Sequence, residues 1–470
     1  MVELSDSLNK RISPEKVTWR ETMTFLKMGM AQVDITPPIG IQSGGWGASK
    51  HSRSESVHRS LLLTALAKAD ENGKIRFIIG VDLILIGCIE CAELILNQIA
   101  TALGVSNDDV LFSSSHSHST PWICIHRSNK EGSELIPDFA SQVVNGAVKA
   151  CNEAQNSLED VNATWAYGKC SLASIRDLPC GSNMAVAFSP DVSADDTLVI
   201  GRLVNSKGNV IGVIANYACH ATTLAWQNKS ISPDFVGRAR ELVQDHIKAP
   251  MLFLQGASGD LAPRNQYSTD TNLADKNGEV LGYSIIATLQ NMQSPSSELR
   301  WAGVVESGAL LGVWEESKID QLTIQNENRI ELDVKVKYLK TLEELRSEWA
   351  GVDKSALEER LLRAERLRIG YRSGENARHP IWIWQWGQVI FIAHAGEAYS
   401  YFQIELRKRN PEKIIIVMNL TNYPGMYYLP TRKAYEHLTY PAQVTIIAEG
   451  SLESIVEKID SHIKGQNCSG

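Results

Sequence analysis

Two histidines one residue apart, His116 and His118, lie in Ser113–Trp122 (SSSHSHSTPW), directly after an apolar run. In an extended chain residues i and i+2 share a face, so both imidazoles could reach one metal ion, or one could bind it while the other moves a proton. The plain alternative is a pair of surface histidines in a polar loop. His220, in Asn216–Leu224 (NYACHATTL), ends another apolar run among small residues that leave room for a ligand. Taken alone it reads first as a hydrogen-bonded core histidine. Cys219 beside it is a poor thiol nucleophile, because neighbours on a strand point to opposite faces. Glu397, in AHAGEAYSYF, follows the apolar VIFIAHA and precedes a helical pattern from Tyr399 to Lys408, where a carboxylate also serves to stabilise a helix N-terminus. The last chemically loaded stretch, Asn419–Tyr440, carries Tyr423, Tyr427, Tyr428, Tyr435 and Tyr440; most buried tyrosines are structural. Other templates fail. HExxH, GxSxG and the Walker and GxGxxG phosphate loops are missing, and the CxxC at Cys88 to Cys91 has no second pair. Metal-assisted hydrolysis is the reaction class left with enough residues.

These residues need elements to hold them. Ile75–Ile86 reads as a buried strand, Ile89–Leu103 as a helix, and Asp109–Ser115 as a second strand that runs into the Ser/His loop. Ligands gather at such strand ends in open α/β sheets. Thr197–Val204 and Asn209–Tyr217 flank NSKG, predicting a hairpin whose second strand delivers CHATT. Pro233–Ile247 is predicted helical, with Ser232 as N-cap and Pro233 at the first helical position. Met251–Leu254 is a short strand before the small-residue loop QGASGDLAPR. From Leu339 to Ser373 dense Glu, Arg, Lys and Leu predict two amphipathic helices with charged outer faces, either solvated or presented to a partner. Ile381–Ala393 resumes strand character, and a period of two puts Trp382, Trp384 and Trp386 on one face. That face packs on a neighbouring layer or forms an aromatic wall for an acyl chain or ring. The expected fold is α/β, mixed β-sheets flanked by helices in one large domain.

Composition bounds the partners. With 46 basic and 54 acidic residues in 470, the net charge is −8, which gives no global attraction to nucleic acid or anionic membranes. Hydrophobic residues at 43% and charged residues at 21% exclude a disordered chain. The longest apolar run, Phe77–Cys88, contains Asp82 and two glycines and falls short of the ~20 residues a bilayer span needs. Residues 1–28 read as a polar leader without the apolar core of a signal peptide, and eight cysteines lack the density of a disulfide scaffold. A cytoplasmic protein with no transmembrane segment and no nucleic-acid partner is expected.

Taken together, the segments resemble the neutral/alkaline ceramidase family, zinc-dependent amidases that cleave the N-acyl bond of ceramide. The resemblance runs from MGMAQVDITPPIG and a glycine-rich stretch ending at Gly47, through VDLILI, to SHSHSTP, where the family shows a THTHSGP-like sequence. SIRDLP, NYACHATTL, SPDFVGRA, SGDLAPR, GEAYS and the tyrosine-rich ending follow in the family's order. The resemblance implies Zn²⁺ held by His116, His220, Glu397 and a tyrosine, Tyr428, with Tyr427 as the other choice. It implies His118 as the histidine beside the metal, Arg176 as the site arginine and Tyr440 as a second functional tyrosine.

The implied function is a zinc-dependent amidohydrolase acting on an N-acyl amide of a small molecule or lipid, with residues 29–470 as the catalytic domain. The charged segment 339–373 is then an insertion. Thr120 stands where the family has glycine, and no C-terminal immunoglobulin-like domain of the kind long members carry is expected. Two other readings compete: the same metal core acting on a cyclic amide or ester, and a catalytically silent ligand-binding protein.

Overall fold

The computed structural model describes residues 26–128, 130–181, 183–319, 325–366, 372–373, 375–423 and 428–467. Tyr427 and residues 1–25 of the leader lie outside them. Leu26–Met28 do not belong to a leader: they open the first strand and pair with residues 159–161.

The larger sheet holds β1 (Leu26–Asp34), β2 (Leu62–Ala69), β3 (Ile75–Val81), β4 (Val110–Ser114), β5 (Glu159–Lys169), β6 (Thr197–Asn205), β7 (Val210–Tyr217) and β8 (Met251–Gln255). Their order across it is β8-β7-β6-β5-β1-β2-β3-β4. The smaller sheet runs β9 (Gln325–Lys335), β10 (Asn376–Trp386), β11 (Val389–His394), β12 (Ile414–Met418), with Arg372–Ser373 as a short addition beside β10. Most pairs are antiparallel; β3 with β4, β7 with β8 and β11 with β12 are parallel. Each parallel pair is joined through a helix: α1 (Ile89–Leu103), α3 (Phe235–Ile247) and α7 (Tyr401–Arg409) respectively, while α2 (Ile136–Asn156) backs the larger sheet and α4 (Thr271–Gln290) packs on α3. Parallel strands need such crossovers, and their carboxyl ends are where ligands collect.

Alternation along the strands assembles four layers. Phe77 and Ile79 face α1 and α2, whereas Ile78 between them faces the second sheet. On β10 the period of two puts Ile381 and Ile383 against α7 and α8 (Ser451–Asn467), and sends Trp382, Trp384 and Trp386 into the seam between the sheets with Leu66, Leu111 and Phe391. The indoles are therefore core, not a wall for substrate. Their burial is possible because Trp382 donates to Asp108 at 3.2 Å and Trp386 to Glu327 at 3.0 Å. Each such side chain contributes roughly 1.5–3 kcal/mol of apolar burial.

Local expectations shift in three places. The run 381–393 is two strands, because Gly387 takes a positive φ of 63° and turns the chain into a hairpin. The strand from Ile75 stops at Val81, since Asp82 leaves the ladder to accept from Leu62 N–H and to pair bidentately with Arg240 of α3 at 2.7 Å. The helix foreseen from Pro233 begins at Phe235, capped by Asp234, whose Oδ1 accepts from Phe235 N–H at 2.7 Å; Ser232 caps nothing helical and accepts from Asp234 N–H instead.

In the charged segment stand α5 (Leu342–Glu348) and α6 (Lys354–Arg366), the first closed by a capping box between Thr341 and Glu344. An antiparallel hairpin, Ser297–Glu306 with Leu310–Lys318, projects from the surface without a counterpart among the sequence expectations. No helix among the described residues is long and apolar enough to cross a membrane.

Candidate metal centre

Three strand ends converge. β4 delivers His116 and His118, β7 delivers His220, and β11 leads to Glu397 on the two-residue strand Glu397–Ala398. That strand pairs in parallel with Tyr428–Leu429, which sets Tyr428 beside Glu397. His116 and His118 do come together, with ring centroids 4.9 Å apart, but not through an extended backbone. His116 takes φ 66°, the left-handed region that costs a side chain energy, and its N–H is held by Leu83 O.

The imidazoles are fixed in one tautomer. His116 Nδ1 lies 2.7 Å from Ile84 O, and His220 Nδ1 lies 2.6 Å from Ser258 O and 3.1 Å from Leu261 O. A carbonyl only accepts, so Nδ1 carries the proton in both rings and Nε2 presents a lone pair. Both Nε2 atoms aim at the same carboxylate oxygen, Glu397 Oε2, from 3.3 Å and 3.1 Å. Burial pushes the His220 pKa down to about 3, helped by Arg176, so at neutral pH it brings no second proton. Burial would raise the Glu397 carboxyl, yet its position beside His116 and His220 holds it well below the usual carboxylate range, so it faces them as a carboxylate. Electron-rich atoms thus meet in a buried spot, an arrangement a cation resolves.

His118 completes the group. One ring nitrogen from each of His116, His118 and His220 lies within 4.8 Å of the others. Neither nitrogen of His118 has a hydrogen-bond partner, nor does buried His116 Nε2. Burial, then the neighbouring His116 and His220, holds His118 neutral, well below the ordinary histidine range. These residues fit a metal ion of the zinc type: imidazole nitrogens and carboxylate oxygen, each imidazole with its far nitrogen anchored on a carbonyl in the case of His116 and His220.

Arg176 is buried and donates twice to Gly259 O, at 3.1 Å and 2.8 Å, and once to the Tyr428 hydroxyl at 3.3 Å. Gly259 is required there: a Cβ would sit 2.7 Å from Glu397 O and 2.9 Å from Ala398 O. The SGDLAPR loop therefore clamps the glutamate strand and the arginine at once, and Asp260 adds bonds to Ser400 N–H and Oγ. Tyr428 lies with its ring 6.2 Å from Tyr440, edge to face, and Arg363 of α6 donates to the Tyr440 hydroxyl. Burial and the Glu397 charge push the Tyr428 phenol well up, so only a strong cation would ionise it. All seven residues singled out in the sequence thus stand in one neighbourhood.

The sequence reading did not find Arg363, nor the aromatic wall beside His118: Trp46 at 4.7 Å between ring centroids, with Tyr267 and Trp226 edge-on behind it. A tryptophan among the glycines of GGWGA was the available signal, since glycines leave a bulky ring as the one side chain the loop presents. Next to Tyr440 and Arg363 opens a cavity of about 370 Å³, lined also by Leu345, Trp349, Lys337 and Ile446. Helices α5 and α6 form one of its sides.

Comparison with known proteins agrees with this geometry. The sequence profile of the neutral/alkaline non-lysosomal ceramidase N-terminal region matches residues 26–277. A neutral ceramidase of Drosophila melanogaster is 24% identical over 227 residues, 46% of this chain but 32% of that relative, so the match spans about a third of it. The crystal structure of neutral ceramidase from Pseudomonas aeruginosa superposes with a TM-score of 0.68 at 16% identity, over 93% of this chain and 74% of that one. A ceramidase complexed with C2 gives 0.66 at 14%, over 92% and 74%. These likenesses extend to the smaller sheet, beyond the region the profile covers.

Proposed function

The chain belongs to the neutral/alkaline non-lysosomal ceramidase family, and from that premise we propose that it is a metal-dependent amidohydrolase that cleaves the N-acyl amide bond of a ceramide-like lipid. The observation that carries the reading is the approach of His116 Nε2 and His220 Nε2 to one oxygen of Glu397, with unpartnered His118 alongside. We assign His116, His220, Glu397 and Tyr428 as ligands of Zn²⁺. A zinc ion there supplies Lewis acidity, which draws the pKa of a water from about 15.7 towards 7 and polarises an amide carbonyl.

The chain's own residues do the rest. His118, neutral and free of hydrogen bonds, takes a proton from the attacking water and returns it to the leaving amine, a role usually worth about 100- to 10,000-fold. The hydroxyl of Tyr440 donates to the oxygen that gains charge as the carbonyl is attacked. Arg176 keeps Tyr428 in place and adds positive charge behind it. Trp46 shields the His118 side from water. The cavity beyond Tyr440 combines Leu345, Trp349 and Ile446 with Lys337 and Arg360, a mixture suited to an amphiphile.

The test pairs elemental analysis with hydrolysis of short-chain N-acylsphingosine. His116→Ala and His220→Ala should each lose one zinc per chain and lower kcat/KM at least ~1,000-fold. Zinc content unchanged in both variants would reject this ligand set, and intact zinc with no release of fatty acid from any N-acyl amide would reject the substrate class.

A further inference from the structure

A second constellation of ligating side chains lies outside the hydrolytic centre, at the start of α1. Cys88, Glu90 and His126 each offer one ligand atom, all within 4.8 Å of one another. The thiol of Cys88 is also hydrogen-bonded to those of Cys91 and Cys124. The CxxC that had no second pair in the sequence acquires one in space, Cys124-x-His126.

The backbone makes this possible. Ile86 and Ile123 form a parallel bridge, and Gly87 N–H donates to Ile123 O at 2.7 Å. Gly87 lets the two segments close up, since a Cβ there would fall 2.6 Å from Cys124 Cβ and 2.2 Å from Trp122 Nε1. Cys88 then stands abreast of Cys124, one residue before α1, where its side chain makes no capping bond. Glu90 and Cys91 follow in the first turn. The thiols form no disulfide.

We infer that this pocket is a second metal site for a thiophilic divalent cation of the zinc type, held by Cys88, Glu90 and His126, with the fourth ligand from the adjoining thiols of Cys91 and Cys124. Buried free cysteines by themselves behave as small hydrophobes. Here an acid and an imidazole reach the same point: His126 Nε2 is buried and lies 3.4 Å from Glu90 Oε1. Sulfur, nitrogen and oxygen donors within 4.8 Å of one another suit zinc, and the exposed side of Glu90 leaves a path of entry. On binding, each ligating thiol gives its proton to solvent and bonds the metal as thiolate.

The place of the pocket gives it a structural task. Residues 83–88 lead from the backbone that orients His116, through Ile84 O, into Cys88. On the other side Arg127 reaches Glu359 of α6 at 2.7 Å, the helix that also carries Arg363. A bound ion would clamp both segments and so brace the hydrolytic centre from behind.

The test is cobalt(II) titration of the full chain after chelator treatment, read by thiolate-to-cobalt charge-transfer absorption. The His, Glu and Tyr atoms of the hydrolytic centre include no sulfur, so this signal is independent of the proposed activity. It should persist in the His116→Ala, His220→Ala double variant and vanish in Cys88→Ser. Should Cys88→Ser fail to fold, Glu90→Gln and His126→Asn, nearer the surface, should each weaken cobalt uptake about 10-fold or more. Absence of sulfur charge transfer in the wild type would overturn the site. So would a Cys88 disulfide to Cys91 or Cys124 that forms in air and survives metal addition.

Discussion

The two sides of the metal centre are built in different ways. His116, His118 and His220 follow the ends of β4 and β7 in the larger sheet, and the rings of His116 and His220 are locked by carbonyls from their own half of the chain. Glu397, Tyr428 and Tyr440 come from the smaller sheet's side, on two-residue strands and a five-residue helix, and they lean on the first half through Arg176, Gly259 and Asp260. The ring orientations of the first side are thus set within its own half. The second, which brings Glu397 and Tyr428 to the proposed cage and Tyr440 beside it, is held by what it touches.

The sharpest way to break this contrast is Tyr440→Phe. If Tyr440 serves the reaction and not the cage, zinc content stays at the wild-type value while kcat falls ~100- to 1,000-fold, the usual effect of losing one donor to a developing oxyanion. Equal loss of zinc and of rate would move Tyr440 into the cage.

A smaller effect probes the seam between the sides. Asn422, buried after β12, accepts from Phe112 N–H at 2.7 Å and donates to Val110 O at 2.9 Å, lacing the smaller sheet to β4, the strand that delivers His116. Asn422→Ala leaves both backbone groups unsatisfied and should cost about 1–3 kcal/mol, seen as a lower denaturant midpoint. If the second side depends on the seam, KM rises in the folded variant while zinc is retained. An unchanged midpoint and KM would show that the sheets need no such lacing.

The same asymmetry governs what was readable in the sequence. HxH after an apolar run, a histidine closing the next run and the βαβ pattern are local signals, and they led to the histidine cluster and the α/β layers. Glu397, Tyr428 and Tyr440 stood out as residue types in short elements, but their roles, and Arg176 altogether, were reachable only through the family resemblance. Periodicity put the three tryptophans on one face correctly but could not say that a second sheet covers it, since that is a fact of tertiary packing. It also could not foresee Asp234, whose φ of 54° starts α3 two residues late, because the cap is fixed by a bond from Leu224 N–H to its other oxygen across a loop. Arg363 and Trp46 carry no spacing at all. The cysteines show the limit most plainly: a CxxC is visible in sequence, whereas its partner is brought in by a glycine that permits two segments to touch.

Proton uptake compares the sides in another way. His394, at the end of β11, is buried with Nε2 2.7 Å from Asn419 Oδ1 and with Nδ1 accepting from Gly396 N–H at 3.1 Å, so both ring nitrogens are used in the neutral form. Burial sets its pKa to about 4, as it sets that of His220 to about 3. An unfolded histidine takes its proton near 6.5. Above that pH neither state binds the extra proton and nothing is lost. As pH falls from about 6.5 to about 4 the unfolded chain gains a proton that folded His394 refuses, and stability drops by about 1.4 kcal/mol per pH unit for this group, levelling off once the folded ring also protonates. His394→Gln should therefore flatten the acid side of the unfolding free energy by about that slope, measured on chelator-treated protein so that ligand protonation does not enter through the metal. The absolute stability of the variant will be lower if Gln cannot serve both Asn419 and Gly396, but the slope is insensitive to that loss. An unaltered slope would mean that the smaller sheet admits water to His394 and protonates in place, and the second side of the centre would then be looser than its hydrogen bonds imply.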